Sequence, residues 1–202
     1  MEEVYSILFD RILTGYYPHD TKLKEEELAE EFCISRTPVR EILNQLAQDG
    51  LVDKVPKKGT RVIGFTVDDV EEIYEIRKSL EIQALRYSAS FLSIQGLKEI
   101  REELQNLKES TDFKEHERVD SKLHNYFIHA SKKYRLIRML DQLYRLMQRF
   151  RELGYRDSRT RDIALDAHLA LVDALILRDI EKAVQILADH IEVSKNNAIL
   201  QL

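Results

Sequence analysis

Cysteine is almost missing from this 202-residue sequence, with Cys33 as its single representative. An intrachain disulfide is therefore excluded, and so is a zinc cluster built on thiolates; any metal would have to be held by imidazoles and carboxylates. Proline and glycine are also scarce, at three and six residues. From Val67 onward there is no proline and the only glycines are Gly96 and Gly154, so long uninterrupted helices are expected there. No apolar run is long enough to cross a bilayer, and the opening "MEEVYSILFDRI" is acidic and amphipathic where a secretion signal would be basic and then apolar. A cytoplasmic protein with no membrane partner is expected. Positive charge is not in excess either: the net charge of -5 argues against nonspecific coating of nucleic acid, although an average can hide a local patch.

Such a patch is present. Residues 1–33 carry three basic and nine acidic side chains, whereas residues 34–63 carry six basic (Arg36, Arg40, Lys54, Lys57, Lys58, Arg61) against three acidic (Glu41, Asp49, Asp53). Apolar periodicity predicts helices over 2–14, 25–33 and 36–49 in this region. The third is the best defined, with Ser35 as N-cap, Pro38 in the first turn and Gly50 just past the end. Only Ile34 and Ser35 would separate it from the second, the tight junction of a helix-turn-helix. Next, "LVDKV" and "TRVIGF" are β-prone and joined by "PKKG", which reads as a hairpin wing. Helices are then predicted at about 67–90, 93–108, 112–133, 135–155, 159–177 and 180–199. The expected architecture is mainly α: a winged helix-turn-helix over 1–66 and an all-α antiparallel bundle over 67–202, joined by a short connection at Gly64 to Thr66 that would couple the two mechanically.

On the third helix, Val39, Ile42, Leu43 and Leu46 share one face, and Arg36, Arg40 and Asn44 follow one another at intervals of four on the other. Arginine reads guanine edges by a two-pronged hydrogen bond, and a helix start adds backbone donors for phosphate. Ser35 and Thr37 would bring hydroxyls to backbone phosphates, with Lys57, Lys58 and Arg61 reaching from the wing. An arginine pair alone could be a solvated face beside Glu41. Its place on the second helix of a tight turn, ahead of a basic glycine hairpin, favours DNA.

The stretch "KLKEEELAEEFCISRTPVREILNQLAQDGLVDKVPKKGTRVIGF" resembles the DNA-binding domain of the GntR family of bacterial transcription regulators, with "SRTPVRE" and the "DGLV" to "KGT" tail carrying the likeness over residues 7–64. The resemblance implies a homodimer on a palindromic double-stranded operator, with Arg36, Thr37 and Arg40 near bases or phosphates and Gly59 at the wing tip. Two departures stand out: "PHD" replaces the usual proline-glycine before the second helix, and Glu26 occupies a position often held by arginine.

Residues 67–202 resemble the helical effector domain of the FCD subgroup, named after the C-terminal domain of the fatty-acid regulator, through "DDVEEIYEIRKSLE", "DSKLHNYFIHAS" and "AHLALVDALILRDIEKAV" with "ADHI". Many members hold a divalent metal with one Asp and three His, and the matching positions are Asp120, His124, His168 and His190. "SKKYRL" departs from the commoner "S-G-N". Spacing is compatible with this set. Asp120 and His124 are four apart, on one helix face, while His168 and His190 lie ten and eleven residues from the turn at Arg178 and Asp179, so antiparallel packing would level them. Imidazole with carboxylate suits Zn, Ni, Fe or Mn. A tetrahedral ion would be closed and structural, whereas a six-coordinate one would leave room for a carboxylate effector. The ladder His116, Asp120, His124 competes, though His116 in "KEHER" reads as exposed; His19 and His129 read as structural or solvent-facing. The resemblance turns Arg77 toward the cavity as the effector's partner, and an ion pair with Glu81, four residues on, is the equal alternative.

The expected function is operator binding governed by a small organic acid at or near a divalent metal, the acid shifting the spacing of two DNA-reading heads. A metal-dependent hydrolase with an accessory winged helix is the alternative, since an open His/Asp centre can activate water, but no general base accompanies the four ligands at motif spacing. A protein-interaction role for the winged helix is the third reading.

Overall fold

The structure is a computed structural model that describes residues 2–55, 59–64 and 66–202; the predicted wing residues Lys57 and Lys58 lie outside the described residues. The chain separates into two compact units, Met1–Asp69 and Val70–Gln201.

The first unit runs α1 (Glu2–Leu13), β1 (Lys22–Leu23), α2 (Glu25–Glu31), α3 (Arg36–Gln48), β2 (Val52–Val55) and β3 (Gly59–Val62). The strands form an antiparallel sheet in the order β1-β3-β2, with Val52 opposite Val62 and Lys22 opposite Arg61. Leu8 and Ile12 of α1, Leu28 of α2, Val39, Ile42, Leu43 and Leu46 of α3, and Leu51, Val52 and Val62 of the wing are buried, the apolar stripes that the periodicity marks. This is the winged helix-turn-helix.

The helix junction differs from the sequence reading. α2 stops at Glu31 rather than at 33, so four residues precede α3. Phe32 is the C-cap, Cys33 N–H bonds Glu30 C=O, Ile34 N–H bonds Ala29 C=O, and Cys33 takes φ +52°. These are the paired hydrogen bonds of a Schellman cap, with cysteine in the left-handed position usually given to glycine. Gly50 (φ +77°) closes α3 in the same way, through Gly50 N–H to Ala47 C=O and Leu51 N–H to Leu46 C=O. Ser35 sits at the N-cap with extended backbone, yet its side chain makes no capping bond and so stays exposed.

The second unit is helical: most of α4 (Val67–Ser88), then α5 (Ile94–Asn106), a 3-10 turn at Leu107–Glu109, α6 (Phe113–Ala130), α7 (Tyr134–Arg156), α8 (Ser158–Ile176) and α9 (Ile180–Ile199). Ser93, Asp112, Asp157 and Asp179 cap α5, α6, α8 and α9 through backbone N–H groups two or three residues on. Leu85, Leu97, Ile100, Leu123, Phe127, Val172 and Leu187 fill the interior. In "SKKYRL", Lys132 adopts φ +54°, so the chain keeps the left-handed turn that "S-G-N" would give and changes only the residue holding it.

The α8–α9 corner is the element that sets the site. Arg178 (φ +60°) and Asp179 cap α8 by N–H bonds to Leu175 C=O and Ala174 C=O. The Arg178 guanidinium then donates to Ala89 C=O (2.6 Å) and Leu92 C=O (3.0 Å), fixing the corner to the end of α4. At the other side of α5, a methyl group added to Gly96 would lie 2.4 Å from the Tyr126 hydroxyl, which is tied to Ser93 N–H and C=O. Gly96→Ala is therefore expected to lower the unfolding free energy by about 1–3 kcal/mol, the usual cost of overpacking, seen as a reduced thermal midpoint.

Candidate metal centre and nucleic-acid interface

Asp120 and His124 stand one turn apart on α6, and His168 and His190 reach in from α8 and α9. All four are buried, and one ligand atom from each lies within 4.8 Å of the others. His168 Nε2 is 3.0 Å from Asp120 Oδ1, 3.4 Å from His124 Nε2 and 3.3 Å from His190 Nε2; His124 Nε2 is 3.4 Å from Asp120 Oδ1. Three imidazole nitrogens and one carboxylate oxygen thus converge from three helices, a donor set that fits a divalent metal of the zinc, nickel, iron or manganese kind.

Electrostatics agree with that fit. Burial alone would raise the Asp120 carboxyl, but the Arg151 guanidinium and the neighbouring imidazoles hold it well below the usual carboxylate range. Burial pushes His190 well below the ordinary histidine value, assisted by His168 and His124, and burial also lowers His168, so both present neutral rings. His124 is raised: burial opposes its charge, but the carboxylates of Glu81 and Asp120 win.

Around these four lies a layer that sequence reasoning reached only in part. Glu81, fully buried on α4, accepts from Arg77 Nε (2.5 Å), from the Tyr144 hydroxyl (2.6 Å) and, through its other oxygen, lies 2.6 Å from His124 Nδ1. Arg151 of α7 donates to Asp120 Oδ2 and to Ser121 Oγ (2.9 Å). Arg77 makes the ion pair with Glu81 through Nε, and it also lines a cavity of about 230 Å³ with Tyr74, Asp120, Arg151, Tyr155 and His190. A second cavity of about 420 Å³, lined by Glu117, Ser121, His124, Tyr144 and Arg151 among others, opens beside α6 and α7. His116 corrects the sequence reading. It is buried, with Nε2 3.0 Å from Ser110 C=O, because the turn before α6 folds over its first residues. It does not join the cluster, which leaves the ladder without its third member. His19 bonds Ile63 C=O from an exposed loop, and His129 is exposed.

On the first unit, Ser35, Arg36, Thr37, Arg40 and Asn44 are all exposed along one side of α3 while Val39, Ile42, Leu43 and Leu46 face inward. The two arginines are not bare. Arg36 Nη1 is 2.9 Å from Glu26 Oε1, and Arg40 is held at two points by Glu25 (Nε to Oε1 3.0 Å, Nη2 to Oε2 2.8 Å). Both carboxylates come from α2; Glu41, the neighbour weighed from the sequence, is not the partner of either. Asn44 accepts from Lys54 of β2, and Gly59 opens β3 with φ +91°.

A winged helix-turn-helix ahead of a helical domain with a buried Asp/His cluster defines a class of bacterial regulators. The family described as "Bacterial regulatory proteins, gntR family" matches residues 1–62 and the FCD domain matches residues 72–193, and the chain belongs to this family of transcription regulators, which are not enzymes. The HTH-type regulator YdhC of Bacillus subtilis (strain 168) is 26% identical over 192 residues, covering 93% of this chain and 86% of that protein. Among solved structures, Lar, described as controlling the Listeria monocytogenes agr system, superimposes with a TM-score of 0.73 at 20% identity over 98% of this chain and 95% of that one. The metal-free FCD domain of TM0439 gives 0.61 at 22% identity, covering 68% of this chain and 96% of that one. At these identities the two structures speak for the fold. No described helix is long and apolar enough to cross a membrane.

Proposed function

We propose that this regulator acts as a homodimer whose grip on a palindromic operator is set by a small organic acid bound beside a divalent cation held by Asp120, His124, His168 and His190. The observation that carries this reading is the convergence of four buried ligand atoms within 4.8 Å, with Asp120 and His190 among them lining a cavity that Arg77 also lines. A bound cation would supply a Lewis-acidic point for a carboxylate oxygen. The chain's own contributions are orientation and charge: Arg77 presents a guanidinium for the anion, Tyr74 and Tyr155 give the cavity a largely apolar wall, and Arg151 holds Asp120 in place. On the DNA side, Arg36, Arg40 and Asn44 would meet base edges from α3, Ser35 and Thr37 the phosphates, and Gly59 with Lys57 and Lys58 the flanking groove. The reading is tested by loading purified protein with one equivalent of Zn, Ni, Fe or Mn and measuring operator affinity across a panel of small carboxylates. At least one acid should change that affinity by about 5- to 150-fold, the range of ordinary allosteric coupling. Operator affinity indifferent to metal and to every acid would remove the regulatory half of the proposal.

A further inference from the structure

We infer that Glu81 is the positioning residue of the centre, turning His124 so that its Nε2 faces the cation and joining that ligand to Arg77 of the effector cavity. This rests on the assignment of His124 as a ligand. Glu81 is 0% exposed, and a lone carboxylate could not be kept there; its charge is held by three donors from three helices. Arg77 Nε and the Tyr144 hydroxyl share Oε1, at 2.5 and 2.6 Å, which leaves Oε2 for His124 Nδ1 at 2.6 Å. An ionised carboxylate can only accept, so Nδ1 must carry the proton. In the neutral ring that a metal ligand requires, the lone pair of His124 is then on Nε2, the atom 3.4 Å from both Asp120 Oδ1 and His168 Nε2. The arrangement is a carboxylate–histidine pair of the kind that fixes ring orientation at metal sites. Among the described residues, His124 is the one imidazole of the cluster whose second nitrogen bonds a carboxylate.

The second consequence comes from Oε1. The guanidinium at the cavity wall and the ring at the centre lean on the same side chain, and Arg77 spends only Nε on it among the described residues. An anion taken by the remaining nitrogens of Arg77 would pull on Glu81 and, through it, on His124. Metal and effector should then strengthen or weaken each other by the same factor.

The test uses the full-length chain as wild type, Glu81→Gln and Glu81→Ala, with zinc alone as the probe and ring-15N spectra of the histidines as the second readout. Zinc affinity should fall about 10- to 100-fold in both variants, and the His124 Nδ1–H signal of the wild type should shift or disappear. Circular dichroism establishes folding. Should Glu81→Ala fail to fold because Arg77 is left unpaired, Glu81→Gln and the near-neutral double variant Arg77→Met/Glu81→Gln carry the measurement. A folded variant with wild-type zinc affinity and an unchanged His124 spectrum overturns the inference. A wild type that binds no zinc defeats the metal reading instead, and the ring-15N comparison alone then decides whether Glu81 orients His124.

Discussion

Arg40→Ala is expected to abolish sequence-specific operator binding, and Arg36→Ala to do nearly the same. A two-pronged arginine contact to a base is worth about 1–3 kcal/mol, and a symmetric dimer would lose it twice, about 2–6 kcal/mol in all. Folding should be untouched, because both side chains are more than three-fifths exposed and neither contributes to the packed face of Val39, Ile42, Leu43 and Leu46. Gel-shift titration against operator and scrambled DNA separates the effects: specific affinity should collapse to the nonspecific level while circular dichroism is unchanged. Operator affinity equal to wild type in either variant would remove that arginine from the reading face.

His168→Ala and His190→Ala form the second pair, each expected to take metal content from near one equivalent to a small fraction of it. The four donors are single atoms grouped within 4.8 Å, so losing one leaves three, with an open side toward the cavity that His190 lines. Elemental analysis after desalting measures this directly, and undiminished metal in a folded variant would strike that histidine from the ligand set. A pH series should accompany it. His124 has its pKa raised, burial being outweighed by Glu81 and Asp120, so in the metal-free protein a proton competes for the ring at and above the ordinary histidine range. Metal affinity should therefore weaken as pH falls through that window and level off above it; His168 and His190, lowered chiefly by burial, are already neutral there.

How much of this was legible in advance depended on whether a feature is local. The apolar stripe of α3, the glycine after it, and the scarcity of glycine and proline beyond Val67 each act over a few residues, and the elements they mark are where periodicity puts them. The four candidate ligands came from the family resemblance; spacing was only compatible with them, since α6 stacks two and the α8–α9 corner levels the other pair. What was missed is tertiary. Two-residue β1 has no pattern of its own and exists through its pairing with Arg61 and Thr60. Arg151 sits in a helix crowded with arginines, and nothing in "RLMQRFREL" distinguishes the one that turns inward to Asp120. His116 looked solvated because its neighbours are charged, yet helical geometry points those neighbours elsewhere. Cys33 shows the same limit, since a left-handed cysteine cannot be told from a helical one by type.

The carboxylates that embrace Arg36 and Arg40 carry a further implication for how this face meets a polyanion. Approach to DNA normally gains entropy as condensed small ions leave the duplex, about 0.9 of an ion for each phosphate neutralised. Here two of the cations already own an anionic partner in Glu26 and Glu25, and these pairs must open before either arginine can engage the duplex. Raising ionic strength loosens the internal pairs together with the intermolecular ones. The slope of log affinity against log salt should consequently be shallower than a count of basic side chains would give, leaving recognition less sensitive to swings in potassium concentration.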